Sequence, residues 1–406
     1  MSAPESVAIV GGSLAGVRCA SQLRRSGFAG PLTIIHGESG PPYDRPPLSK
    51  QYLAGEWEAD RLELLPDDKL PDLEASWRVD TRAVSLDVRS RSIELDSGEV
   101  VTAETIVIAT GASPRRLQGT EGLAGVYALR TRGEATALRA ELAAAPKNVV
   151  VVGAGFIGSE VAATAAGRGH DVTIVEAADV AMERGLGRHM GLLCGGLHAE
   201  HGVDLRLSTG VTDVRSSDGR ISRVRLNSGE ELAADVLVVG IGVQPNTAWL
   251  DDSGLAIKDG VVCTAWCEAG PGVYAAGDVA RWFNERFGET MRVEHWENAV
   301  EQGSYVAKRI MGESEPYAPV PWFWSDQYEH KIQLAGRPAA GDTIEIVTGT
   351  TEERRFAAIY GRDDRLTGVF GMNRPRHVMQ YRRLIADGAS WTDALAFAAA
   401  ARSNSI

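Results

Sequence analysis

The sequence predicts an α/β protein: two Rossmann-like dinucleotide-binding domains followed by a C-terminal α+β domain. Three observations carry that expectation. Two glycine-rich turns each follow an apolar strand and open a helix. Two later apolar strands, each ending on glycine, look like corresponding exits from two similar units. From His330 onward the chain alternates apolar and polar residues as strands do, then closes on a helix.

The first turn is G-G-S-L-A-G, residues 11–16. It follows a strand at 7–10 and leads into a helix through Val17, Ala20 and Leu23. A second strand spans 32–35, with Glu38 beyond it as the acid for a ribose. The pattern is the dinucleotide fingerprint, in which glycines permit a tight turn, close backbone approach to pyrophosphate and close helix packing. Ser13 stands in place of the middle glycine. It adds a Cβ where a ligand must come close, and a hydroxyl that could itself face a phosphate. Residue 37, just after the strand, is glycine and not an acid.

Next comes P-P-Y-D-R-P-P-L-S-K, residues 41–50, whose prolines exclude a regular helix or inner strand. Arg45 and Lys50 make this either a stiff wall against an anionic cofactor or a rigid surface loop with solvated charges. Short strands are expected at 79–86 and 91–95, with a D-S-G turn at 96–98. A buried strand in T-I-V-I-A-T-G exits on Thr110 and Gly111, and a helix is expected over 132–145.

The second turn lies in V-V-V-V-G-A-G-F-I-G-S-E, residues 149–160. Strand 149–152 enters Gly153, Gly155 and Gly158, a helix follows through Val161 to Ala166, and strand 172–175 ends on Glu176. Here strand, turn, helix and acid are all present, and the helix N-terminus offers N–H groups to phosphate. Strands near 203–207, 211–214, 221–226 and 236–239 lead to G-I-G-V-Q-P-N, the counterpart of the Thr110–Gly111 exit. G-V-Y-A-A-G-D-V-A then ends a strand on Gly277 and Asp278, an acid able to accept hydrogen bonds from a polyol. E-H-W-E-N-A, residues 294–299, opens a helix. V-P-W-F-W-S-D-Q-Y is an aromatic cluster, and strands at 332–334, 343–347, 355–359 and 366–370 precede the closing helix.

Length and composition fit this plan. The chain has 406 residues, enough for two or three domains, and its 44% hydrophobic and 24% charged residues suit a soluble globular protein. A formal charge of −12 argues against non-specific nucleic-acid binding. The first ten residues carry no basic leader, and no run of about 18 apolar residues is available to span a bilayer. A cytoplasmic protein without membrane contact is expected. Cys19, Cys194, Cys263 and Cys267 are too scattered for a disulfide framework, and the C-x-x-x-C spacing of the last two fits neither redox nor zinc chemistry. Buried structural thiols and no metal are expected.

Taken together, the two nucleotide units, A-T-G, G-I-G-V-Q-P-N, A-A-G-D-V-A and P-W-F-W-S-D-Q-Y resemble one family nearly end to end. It is the FAD-dependent NADH:ferredoxin reductases of bacterial oxygenase systems, the putidaredoxin- and rhodocoxin-reductase type. Its most specific marks are P-P-Y-D-R-P-P-L-S-K and V-P-W-F-W-S-D-Q-Y. The resemblance implies a FAD domain made of residues 1–113 and 244–322, an NADH domain at 114–243 and a C-terminal interface domain at 323–406. It implies FAD contacts at Gly12, Ser13, Ala15 and Gly16, with Glu38 at the ribose and Lys50 near the isoalloxazine. Ala83 falls at the adenine, Arg130 by the cofactor, Asp278 at the ribityl chain and Trp296 at the ring. NADH contacts fall on Gly155, Phe156, Ile157, Glu160, Glu176 and Gly242. Arg45, Thr110, Gly111 and Gly277 complete the candidate cofactor residues.

The implied activity passes electrons from NADH through FAD to a 2Fe-2S ferredoxin that feeds an oxygenase, either a haem monooxygenase or a Rieske dioxygenase. The flavin supplies the chemistry and the protein positions it. Lys50 and Glu160 are candidates for shaping the nicotinamide site as an ion pair, although Glu160 also suits a helix-start acid favoured by the dipole. Trp324 is placed either at the flavin on the electron-exit side or in plain core packing. With no redox cysteine pair, disulfide-reductase and cysteine-peroxidase activities are set aside. A rubredoxin, monodehydroascorbate or a slow redox-sensing role remain as alternatives. Arg374, Arg376, Arg382 and Arg383, with Lys308 and Arg309, offer a basic face for an acidic ferredoxin, or are solvated and internally paired charges.

Overall fold

The computed structural model describes residues 3–65, 69–143 and 145–403. It divides into two compact units. The first takes the chain up to Asp44, Asp60–Ser113 and Gln244–Pro321; the second takes Arg45–Ala59, Pro114–Val243 and everything from Trp322.

The first unit is built on a six-stranded sheet in the order Glu268–Gly270, Val273–Ala275, Thr105–Ile108, Val7–Val10, Leu32–His36, Ala75–Val79. All pairs but the first are parallel. Buried on both faces, its strands are near-continuous apolar runs, as in V-A-I-V and T-I-V-I. Helix Leu14–Arg25 buries Ala15, Val17, Cys19, Ala20 and Leu23 at the spacing of one helical face.

The second unit repeats the plan. Its five-stranded parallel sheet runs Asp204–Arg206, Asp171–Val175, Asn148–Val152, Val236–Val239, Val126–Tyr127. In both sheets the fingerprint strand lies between the next strand and the glycine-exit strand, with Val10 beside Ile35 and Ile108, and Val152 beside Val175 and Val239. The duplication expected from the matching exits is therefore a duplication of topology. The C-terminal part is a five-stranded antiparallel sheet in the order Trp322–Gln327, His330–Gly336, Arg365–Met372, Arg355–Arg362, Thr343–Thr350.

Two local expectations are corrected, and two elements are added. The strand expected at 79–86 is two strands, Ala75–Val79 and Ala83–Asp87, because Asp80 takes φ +52° and turns the chain. Within the proline-rich stretch, Pro46–Ser49 forms a single 3-10 turn, which proline at the first position permits, and Gln51–Ala54 adds one helical turn. The closing helix is two, Pro375–Ala386 and Trp391–Ser403. Helix Glu183–Glu200 went unanticipated: its glycines lower helix propensity, and Gly187 (φ +74°) kinks it.

Candidate active site

The two fingerprint turns share one geometry. Gly11 has φ +116° and Gly153 φ +103°, and their N–H groups donate to carbonyls at or next to the end of the second strands, Ile35 (2.9 Å) and Val175 (2.8 Å). A Cβ on Gly16 would lie 1.9 Å from the Gly11 carbonyl, and one on Gly158 would lie 2.1 Å from that of Gly153. Only glycine lets each helix come this close to its turn. The middle positions differ in kind. Ser13 and Gly155 have ordinary extended backbones (φ −99° and −77°), and a Cβ on Gly155 would meet nothing. The protein itself therefore tolerates a side chain there, so the Ser13 departure costs the fold nothing.

The turns fit anionic dinucleotides. Neither helix Leu14–Arg25 nor helix Phe156–Gly167 has a side-chain cap, so the first-turn N–H groups are left for an acceptor. In the second unit, the fully buried Ser159 hydroxyl also meets no hydrogen-bond partner among the described residues. The acid of that unit is already aimed: Glu176 Oε2 accepts from the Ala154 N–H (2.6 Å) and Oε1 from the Ala178 N–H (2.9 Å). Glu38 of the first unit accepts a hydrogen bond from Tyr43. Gly37 lies under Arg82, whose Cγ would be 3.3 Å from a Cβ there.

Further candidates of the first unit form two groups. Thr110 and Gly111 are clasped by Asn246: Thr110 Oγ1 donates to its carbonyl (2.9 Å), its side-chain amide donates to the Thr110 carbonyl (2.8 Å), and its N–H donates to Gly111 (2.9 Å). Gly277 and Asp278 form the turn after strand Val273–Ala275, and Arg292 donates to the Asp278 carbonyl (3.2 Å). Trp296 begins helix Trp296–Ile310 and donates from Nε1 to Asp44 Oδ1 at 2.6 Å. Ala83 begins its strand half-buried against the core of this unit.

In the second unit the structure brings Lys50 and Glu160 together. Lys50 Nζ donates to Glu160 Oε2 at 2.8 Å, and the pair is almost fully enclosed. Ser49 donates to the same oxygen, and Ser325 Oγ donates to Oε1 at 2.7 Å. Ser49 and Ser325 are residues that sequence reasoning missed. Each lies inside a motif already singled out, Ser49 beside Lys50 and Ser325 within V-P-W-F-W-S-D-Q-Y, but neither motif signalled a hydrogen bond to Glu160.

Strand Trp322–Gln327 alternates faces. Phe323, Ser325 and Gln327 are buried against Phe156 (ring centroids 4.5 Å apart), Glu160 and Met182, while Trp322, Trp324 and Asp326 are half-exposed on the opposite side. Trp324 packs on Trp322 at 5.7 Å. Arg45 donates from Nη1 to the Arg130 carbonyl at 2.6 Å, just ahead of the Thr131–Glu134 capping box. Ile157 and Gly242 are exposed at the ends of their strand–turn elements. Of the candidate basic residues, Arg376 and Arg383 of the second unit are exposed, Arg382 stacks over Trp322 (5.7 Å), and Arg309 of the first unit donates to the Glu313 carbonyl (2.8 Å).

The four cysteines are free and buried. Burial pushes the thiols of Cys19, Cys194 and Cys263 up to about 12 and holds that of Cys267 well above its ordinary value, so none is a thiolate near neutrality. Among the described residues, no group of three or more metal-ligating side chains is assembled, and no helix is long and apolar enough to cross a membrane.

Residues 5–303 match the family model for pyridine nucleotide-disulphide oxidoreductases, and residues 322–403 match the reductase C-terminal model. The chain belongs to this oxidoreductase family. It is 39% identical to rhodocoxin reductase of Rhodococcus erythropolis, over 94% of this chain and 89% of that one. It is 33% identical to putidaredoxin reductase of Pseudomonas putida, over 95% and 93% of the two chains. Its structure aligns with that of a covalent putidaredoxin reductase–putidaredoxin complex at a TM-score of 0.91, with 32% identity and 95% and 94% of the two chains covered. Family membership does not bring disulfide chemistry here, since the buried thiols offer no reactive pair.

Proposed function

We propose that the chain is an NADH-dependent, FAD-containing ferredoxin reductase that supplies an oxygenase through a 2Fe-2S ferredoxin. The observation that carries this reading is the duplicated fingerprint turn, one in each unit, in a chain without a reactive thiol: two dinucleotides and no dithiol. Relatives that are named reductases of ferredoxin-type proteins support the choice of acceptor.

In this reading residues 1–113 and 244–322 form the FAD domain, 114–243 the NADH domain and 323–406 the C-terminal domain. Gly12, Ser13, Ala15 and Gly16 cradle the FAD pyrophosphate at a helix N-terminus. Glu38 takes the ribose, Ala83 the adenine, and Asp278 accepts from the ribityl hydroxyls, with Trp296 at the ring. Thr110, Gly111 and Gly277 line the same cofactor in the first unit, and Arg45 and Arg130, hydrogen-bonded to each other in the second unit, are the remaining candidate cofactor residues. Gly155, Phe156, Ile157 and Gly242 contact NADH, and Glu176 takes its ribose hydroxyls.

FAD, held by these residues, would supply hydride acceptance and single-electron release, chemistry that no side chain of the protein provides. The protein's part is position and charge. Lys50 neutralises Glu160, Ser49 and Ser325 fix its two oxygens, and the paired carboxylate presents a defined polar wall to the nicotinamide carboxamide. Trp324 stands on the electron-exit side. Steady-state cytochrome c reduction with a panel of 2Fe-2S ferredoxins and rubredoxins tests the reading. Fast NADH-dependent turnover with a ferredoxin is expected. Turnover with rubredoxin alone, or slow turnover with every carrier, overturns the choice of acceptor.

A further inference from the structure

Helix Trp296–Ile310 carries a fully buried carboxamide, Gln302, whose partners all lie in the first unit. Its Oε1 accepts from the Gly277 N–H at 2.9 Å and from Asn298 Nδ2 at 3.3 Å, and its Nε2 donates to Cys267 Sγ at 3.3 Å. Asn298 is itself tied to the Val293 carbonyl (3.2 Å) and accepts from the Tyr317 hydroxyl (3.2 Å). Every polar atom of the Gln302 side chain is thus used, inside a core where a lost partner is expensive.

The contact falls at a sensitive place. Gly277 has φ +78°, and an added Cβ would lie 3.0 Å from Ala15 Cβ on the fingerprint helix. The adjacent helix residue, Gly303, is equally confined: a Cβ there would lie 2.3 Å from the Ala15 carbonyl. The turn is therefore held between the fingerprint helix on one side and Gln302 on the other, and the residue after Gly277 is Asp278.

We propose that Gln302 is a positioning residue for the flavin: through the Gly277 N–H it sets the turn that presents Asp278 to the ribityl chain. This rests on the reading of Asp278 given above. Without the carboxamide the Gly277 N–H has no acceptor in a sealed core, and the turn gains freedom to rotate away from its ligand-binding pose.

The test is the dissociation rate of FAD from the purified holoprotein, followed by the rise of flavin fluorescence on dilution. Gln302→Met keeps the length and removes the acceptor, and FAD release should quicken about tenfold, equivalent to about 1.4 kcal/mol. Gln302→Glu, protonated in this enclosure, keeps an acceptor for Gly277 and a donor for Cys267, so it should stay within about threefold of the natural protein. That is a difference of about 0.65 kcal/mol. Asp278→Ala should also quicken release, and adding Gln302→Met to it should have little further effect, because both act at one turn. Strict additivity in the double variant, or natural release rates in Gln302→Met, overturns the proposal. If Gln302→Met does not fold, Gln302→Glu decides: release as fast as in Asp278→Ala overturns it. Natural release in Asp278→Ala instead removes the reading of Asp278 itself.

Discussion

Ser325 Oγ donates to Glu160 Oε1 at 2.7 Å, joining residues 165 positions apart. The strand of the C-terminal sheet that carries Ser325 thereby completes the polar setting of a carboxylate on the second fingerprint helix. Among the described residues Lys50, Ser49 and Ser325 donate to Glu160, and of these Lys50 carries the compensating charge. A buried carboxylate so placed depends on its cation, because desolvation penalises an uncompensated charge more than the pair gains by forming.

Lys50→Met should therefore destabilise the protein by about 3 kcal/mol, at the lower end for a broken buried pair because both serine donors remain. Adding Glu160→Gln removes the stranded charge and should restore most of the loss. Thermal unfolding of the two variants measures this. Equal stability of Lys50→Met and the natural protein would show that Glu160 does not need its partner.

Nicotinamide choice follows from Glu176. Its carboxylate is fixed by the Ala154 and Ala178 N–H groups, where a 2′-phosphate would meet like charge. NADH should be preferred by about tenfold or more in kcat/KM, one such conflict being roughly 1.4 kcal/mol. In sequence the nearest arginine following Glu176 is Arg184, but parallel pairing places Arg206 opposite Val175, and the Arg206 carbonyl accepts the Glu176 N–H. Arg206 is held by Asp204 (2.6 Å) and Glu230 (3.6 Å). Glu176→Ala should narrow the preference, and Glu176→Ala with Asp204→Ala should narrow it further by releasing Arg206. Equal use of NADPH by the natural protein counts against this account.

Acid stability should reflect His198. Its ring is fully buried, Nδ1 lies 2.9 Å from the Tyr328 hydroxyl, and Nε2 meets no partner among the described residues. Burial first, then the neighbouring His201, lowers its pKa from 6.5 to about 4. The unfolded chain gains a proton below pH 6.5 and the native protein only near pH 4, so the stability from neutral His198 is present above 6.5. It is lost as pH falls through this window, at about 1.4 kcal/mol per pH unit. Unfolding midpoints from pH 7 to 4 should show that slope, and His198→Gln should flatten it. An unchanged slope in the variant would assign the acid sensitivity elsewhere.

What was legible in the sequence was whatever depends on neighbours along the chain. The glycines of both turns declare themselves because strand, turn and helix are contiguous, and Lys50 was named because it sits in a motif. Helix Glu183–Glu200 was hidden because its glycines depress propensity, and it forms through packing of Leu186, Met190, Cys194 and Leu197. The break at Asp80 was hidden because an alternating pattern persists across it. Ser325 and Asn246 lie inside motifs and Gln302 outside them, but for all three the partner, a carboxylate, a strand exit or a glycine N–H, is set beside them by folding. Such partnerships are tertiary, and periodicity does not reveal them.

The last prediction concerns the carrier. Ferredoxins are generally acidic and this chain has a formal charge of −12, so overall attraction cannot bring the two together and a local basic face is required. Helix Pro375–Ala386 supplies one. Arg376 and Arg383 are exposed, while Arg382 lies over Trp322 at 5.7 Å, and Trp322 in turn packs on Trp324 at 5.7 Å. Cationic side chains thus adjoin the aromatic face of the strand whose other face holds Glu160. Arg374 is half-buried, with its Nε enclosed, and is the poorer choice for probing an encounter. Arg376→Glu combined with Arg383→Glu should raise the KM for a ferredoxin by roughly three- to tenfold, as expected for charges that act mainly on association. Ferricyanide turnover should stay unchanged. Raising salt from 0.05 to 0.5 M should slow ferredoxin reduction by the natural protein more than by the double variant. Identical ferredoxin kinetics and salt dependence in the two proteins would move the docking face elsewhere on the surface while leaving the flavin and NADH assignments untouched.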